Sequence, residues 1–116
     1  MAEIAAQLEK AVQHKINGEY DQAVEILQSV LAEDPDNPDA HHELGLVYVF
    51  TGLFDESTVE LERAVELSPK SIKFLNDLGK THTMLGDYEK AIPAFERVLE
   101  IDPFNDEALK NLEFLR

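Results

Sequence analysis

The sequence has no cysteine, and only ten basic residues stand against 24 acidic ones. Without cysteine there is no disulfide framework, no thiolate zinc site and no cysteine nucleophile. Such usage fits a reducing compartment. The formal net charge of −14 repels phosphate backbones and anionic membranes, so neither nucleic acid nor a membrane is expected as a partner. Long apolar runs are missing too. The densest, LGLVYVFTGLF at 44–54, falls far short of the roughly 18 residues a membrane span needs. The opening MAEIAAQLEK has no basic segment followed by an apolar one and does not read as a secretory signal. A cytoplasmic protein is the expectation, with 116 residues making one domain.

Glycine and proline are scarce, five of each, and their placement is regular. Gly18, Gly52 and Gly86 are 34 residues apart, and so are Pro35, Pro69 and Pro103. Between them the chain spells one phrase three times: GEYDQAVEILQSVLAEDP, GLFDESTVELERAVELSP and GDYEKAIPAFERVLEIDP. A fixed period of this length predicts a stacked helical repeat. The units run 4–37, 38–71 and 72–105, followed by a short tail at 106–116. The acidity is uneven. Units one and two each hold two bases against seven acids, and unit three holds four against six.

Each unit reads as two helices. In unit two Asn37 is placed to cap the first helix, with Pro38 at the first helical position, where its missing N–H costs nothing. Ser71 and Asn105 hold the same register and cap helices beginning at Ile72 and Asp106. His41, Leu44, Gly45 and Tyr48 then fall on one stripe, and Gly52 ends the helix. The second helix buries Phe54, Ser57, Leu61, Ala64 and Val65 and stops ahead of Pro69. Small residues recur where paired helices must approach: Ala11, Gly45 and Gly79 on first helices, Ala23, Ser57 and Ala91 on second ones. Pro93 breaks the pattern, because it removes a hydrogen bond inside the second helix of unit three and is expected to bend it locally.

These residues resemble the tetratricopeptide repeat (TPR) family, whose 34-residue pattern runs W, L-G, Y, G-x-Y, A, F, A and P. Unit three supplies Leu75, Leu78, Gly79, His82, Gly86, Tyr88, Ala91, Phe95, Val98 and Pro103. Unit two supplies His41, Leu44, Gly45, Tyr48, Gly52, Phe54, Ser57, Leu61, Ala64 and Pro69. Unit one departs in its first helix, with Gln7, Lys10, Ala11 and His14, as suits an exposed end of a stack. The resemblance implies an all-α fold: an α-solenoid of three stacked helix-turn-helix TPR units plus a C-terminal covering helix at 106–116.

Catalytic chemistry finds no support in the sequence. His14 and His82 share the register of Tyr48, an inward position that takes an aromatic ring, and are expected to pack. His41 and His42 are neighbours about 100° apart on a helix and cannot both face one ion. No complete ligand set, Gly-rich phosphate loop or carboxylate pair stands out, so no enzyme, metal or cofactor is expected.

The family resemblance implies that the first helices line a concave surface that holds extended or helical peptides. The positions facing it are expected to be Leu8, Val12 and Ile16 in unit one and His42, Leu46, Val49 and Phe50 in unit two. In unit three they are Lys73, Asn76, Lys80 and Met84. Some members clamp the C-terminal carboxylate of heat-shock chaperones with Lys, Asn, Asn, Lys and Arg. The matching residues here are Leu8, Val12, Glu43, Lys73 and Asp77, so only Lys73 remains and that clamp is absent. An apolar strip takes its place, with Lys73, Asn76 and Lys80 at a polar end. The expected function is a protein-interaction adaptor for a peptide or amphipathic helix, basic partners being favoured by the charge. The alternative is a self-assembling scaffold, a homo-oligomer served also by the bare ending LEFLR.

Overall fold

A computed structural model describes residues 2–116, and all regular structure among them is helical. Seven helices follow one another: α1 Ala2–Ile16, α2 Tyr20–Glu33, α3 Pro38–Phe50, α4 Phe54–Leu67, α5 Ile72–Met84, α6 Tyr88–Ile101 and α7 Asp106–Leu115. They divide into two compact units, Met1–Leu67 with α1 to α4 and Ser68–Arg116 with α5 to α7.

Local chemistry fixes the helix ends where the sequence placed them. The side chains of Asn37, Ser71 and Asn105 accept from the backbone N–H groups of Ala40 (2.9 Å), Phe74 (3.1 Å) and Ala108 (3.0 Å). Each satisfies one of the donors a helix start leaves open. At the other end, Gly52 has φ +79°. Its N–H reaches Val49 O at 3.2 Å while Leu53 N–H reaches Tyr48 O at 2.9 Å. This paired closure needs a left-handed residue, which glycine adopts without strain. Gly18 and Gly86 repeat it. Short turns of this kind make consecutive helices antiparallel.

In the first unit Ala11, Ala23, Leu27, Val30, Ala40, Leu44 and Val47 form one buried cluster. Each of its larger side chains contributes roughly 1.5–3 kcal/mol by leaving water. Tyr48, expected in the core, lies half-buried against this cluster. Its ring borders a shallow cleft of about 290 Å³ with Asp55, Glu56, Val59 and Glu60. α3 and α4 meet so closely that a Cβ on Gly45 would stand 2.7 Å from Leu61 Cγ. The second unit repeats the device, with a Cβ on Gly79 falling 2.7 Å from Phe95 Cζ. α7 adds Ala108 and Leu112 to that unit's buried set. α6 runs as a single helix from Tyr88 to Ile101 with the exposed Pro93 inside it.

Candidate functional site

The first unit presents a surface built from α1 and α3, which run in the same direction because α2 reverses the chain between them. Leu8, Val12 and Ile16 recur every four residues along α1, one stripe of a helix. On α3 the corresponding stripe is Leu46, Val49 and Phe50. Leu8, Val12, Leu46 and Val49 are half-buried, whereas Ile16 and Phe50 are 67% and 61% exposed. The Phe50 ring lies nearly parallel to that of Tyr20, at 10° and a centroid separation of 5.9 Å. An offset stack of this kind holds an aromatic ring in place while leaving part of it open.

A charged pair joins the two helices beside this strip. Lys15 Nζ lies 2.6 Å from Glu43 Oε1. Burial alone would raise the Glu43 pKa. Hydrogen bonds from His42 and Lys15, reinforced by their charges, outweigh it and hold the carboxyl down at about 2. Glu43 is therefore an anion at neutral pH, already satisfied from within the chain.

His42 departs from expectation. It is 1% exposed, beside Glu43 with Nδ1 at 3.6 Å from Oε2. Within the first unit α3 packs against α1, α2 and α4. At 100° per residue His42 shares the sector of Val49 and Leu46 on α3, so its burial comes from how neighbouring helices cover that part of the helix, which its register alone does not fix. His42 is removed from the set of side chains a partner could touch.

In the second unit the expected residues lie on α5. Lys73 is exposed, and Met84 is 63% exposed. Asn76 is the other correction, at 4% exposure, because α5 packs against both α6 and α7. Its Nδ2 donates to Asn105 Oδ1 at 3.3 Å while its own Oδ1 has no hydrogen-bond partner among the described residues. Lys80 is half-exposed but engaged, 3.2 Å from Asp77 and 2.5 Å from Glu107. Burial would lower its pKa, yet these two carboxylates raise it above the ordinary lysine value. That pairing ties α5 to α7 and was not readable from spacing, since Glu107 lies in the next helix pair.

The histidines serve packing and hydrogen bonding. His14 Nδ1 is 3.0 Å from Glu19 Oε1, and His41 Nδ1 is 2.7 Å from Glu60 Oε1. His82 is buried. Among the described residues no group of three or more histidine, cysteine, aspartate or glutamate side chains could hold a metal ion. No described helix is long and apolar enough to cross a membrane. A cleft of about 360 Å³ opens between α1 and α2, but its lining of Gln7, Lys10, His14, Gln22, Glu25, Ile26 and Ser29 is mostly polar. It lies off the apolar strip.

A tetratricopeptide repeat family model matches residues 16–76, and a second tetratricopeptide repeat model matches 72–105. No curated protein sequence matches the chain. Among solved structures it is similar to the first TPR of Spaghetti (RPAP3) bound to the HSP90 peptide SRMEEVD. The two are 27% identical with a TM-score of 0.88, over 97% of this chain and 89% of that one. It is also similar to a Thermobaculum terrenum O-GlcNAc transferase, 29% identical with a TM-score of 0.86. That match covers 98% of this chain but only 22% of the transferase chain. A crystal structure of MamA, at 21% identity, TM-score 0.88 and coverage of 97% and 66%, shares the fold. The architecture is an all-α helical-repeat solenoid.

Proposed function

The chain belongs to the tetratricopeptide repeat family, and from that premise we propose that it is a non-catalytic protein-interaction module of the cytoplasm. Its partner contributes a peptide or amphipathic helix, seated on the strip formed by α1 and α3. The observation that carries this reading is the exposure of Ile16 and Phe50, 67% and 61%, at the end of two apolar stripes on adjacent helices. Large side chains that converge in this way from successive helices mark interaction sites more often than isolated surface apolars do. An aromatic so placed is the type of residue that dominates interface energy. We further propose that Lys73 and Met84 of α5 add contacts of their own, and that residues 1–116 act as one domain.

The partner differs in kind from the HSP90 peptide SRMEEVD bound by the RPAP3 domain. That peptide is acidic. Of the five positions that the family resemblance assigns to a carboxylate clamp, Leu8 and Val12 are apolar here, Glu43 and Asp77 are acidic, and only Lys73 is retained. Self-assembly is the second reading. It is favoured by Phe104 and Phe114 of the second compact unit, 88% and 71% exposed.

A pull-down from source lysate, comparing the wild-type chain with Phe50→Asp, tests the module reading. Partners captured by the wild type and lost with the variant support it. Equal capture by both would remove the strip from the account. Sedimentation of the chain alone over a range of concentrations separates the readings, since a persistent monomer argues against the scaffold.

A further inference from the structure

We propose that the segment seated on the α1–α3 strip is a basic amphipathic helix, with its bulky apolar residue at the Ile16–Phe50 end and a lysine or arginine two to three turns away. This rests on the module reading and adds to it the chemistry and direction of the partner.

Charge is the first ground. The first compact unit holds three bases against 15 acids and the second holds seven against nine. The net is −12 in one and −2 in the other, so most of the chain's charge belongs to the unit that carries this strip. Local geometry is the second. Lys15 is consumed by Glu43, and Lys10 lines the polar cleft between α1 and α2 instead. The charges left exposed beside the strip are the carboxylates of Glu9 and Asp39. Glu9 precedes Ile16 by seven residues and Asp39 precedes Phe50 by eleven. At 1.5 Å of rise per residue these are separations of roughly 10 Å and 16 Å. The parallel run of the two helices puts both carboxylates toward one end and both large apolar side chains toward the other. Phe50, steadied by Tyr20 on one face, can also receive the alkyl stem or the charged head of a cation.

A neutral apolar helix would leave Glu9 and Asp39 unpaired, and an acidic one would be repelled by them. The occupant that satisfies both ends is cationic. A second copy of this chain, at −14, would meet repulsion on this face.

The test uses three synthetic helical peptides with one set of leucine anchors and flanking lysine, glutamine or glutamate. Binding to the full chain is read by fluorescence anisotropy at low and physiological salt. The lysine peptide is expected to bind best, by about fivefold over the glutamine peptide, as two exposed ion pairs allow. That margin should shrink as salt rises. Glu9→Gln with Asp39→Asn should erase it, while Phe50→Ala should weaken the lysine and glutamine peptides alike. If these two bind equally and without salt dependence, the basic partner is wrong although the strip still binds. If the lysine peptide binds but neither set of substitutions affects it, the attraction is a diffuse property of an acidic chain and the inference is overturned. Binding by none of the three would overturn the module reading itself. A homodimer that dissolves on Phe50→Ala would put a second copy on the strip.

Discussion

Lys15 Nζ and Glu43 Oε1 meet at 2.6 Å, linking the end of α1 to the middle of α3 across 28 residues of chain. Because the Glu43 pKa is lowered from 4.5 to about 2, folding favours its anionic form. The stabilisation from this carboxylate is complete above the unfolded value and is lost as the pH falls through the folded one. Melting temperatures taken from pH 7 down to 2 should therefore drop in the window between about 4.5 and about 2. Glu43→Gln should melt lower at pH 7, since it leaves Lys15 without its counter-charge, and should lose less on acidification. An equal acid response in both proteins would show that other carboxylates govern it.

The 34-residue glycine and proline register makes the three repeats, their caps and their turns legible in the sequence, because each of these devices acts within four or five residues. Asn37, Ser71 and Asn105 cap as expected for this reason. The contacts that decide exposure lie further apart. The Tyr20–Phe50 stack spans 30 residues, and the Lys80–Glu107 pair spans 27. Periodicity locates a residue on its own helix, but how much of that helix its neighbours cover depends on packing. Register alone puts His42 and Asn76 on an open face, and packing buries both.

Gly79 and Gly86 are small for different reasons, and substitution separates them. At Gly79 a Cβ would meet the Phe95 ring at 2.7–2.8 Å. Phe95 is fully buried and cannot move away cheaply, so Gly79→Ala should cost about 1–3 kcal/mol by overpacking, reduced by up to ~1 kcal/mol of helix propensity. At Gly86 nothing lies within 4 Å, but φ is +75°. Gly86→Ala should cost about 1–2 kcal/mol through backbone strain alone. Urea denaturation measures both, and an unchanged midpoint for Gly79→Ala would mean α5 and α6 can separate without loss.

Pro93 sits exposed inside α6, where it removes a hydrogen bond to the carbonyl of Glu89. Glu25 occupies the same register in α2. Pro93→Glu should raise stability, by at most the ~3 kcal/mol that separates proline from a good helix former. A lower urea midpoint for the variant would mean that α6 needs the proline to pack.

Phe50 and Tyr48 are two residues apart on α3 and should respond oppositely to aspartate. Phe50→Asp loses the stack on Tyr20, about 1 kcal/mol, and should remain folded by circular dichroism. Tyr48→Asp places a charge against the buried cluster that Tyr48 packs on and should cost several kcal/mol, on the order of 2–4. Unfolding of both variants would make Phe50 part of the core and withdraw it from the strip.

The central claim is that partners bind on α1 and α3. A nitrogen-15 NMR titration of the full chain with the lysine-flanked amphipathic peptide tests it most directly. Amide shifts are expected to cluster within 8–16 and 39–50, at Leu8, Val12, Ile16, Leu46, Val49 and Phe50, with Glu9 and Asp39 moving most at low salt. Shifts confined to α2 and α4, or to residues 68–116, would contradict the account.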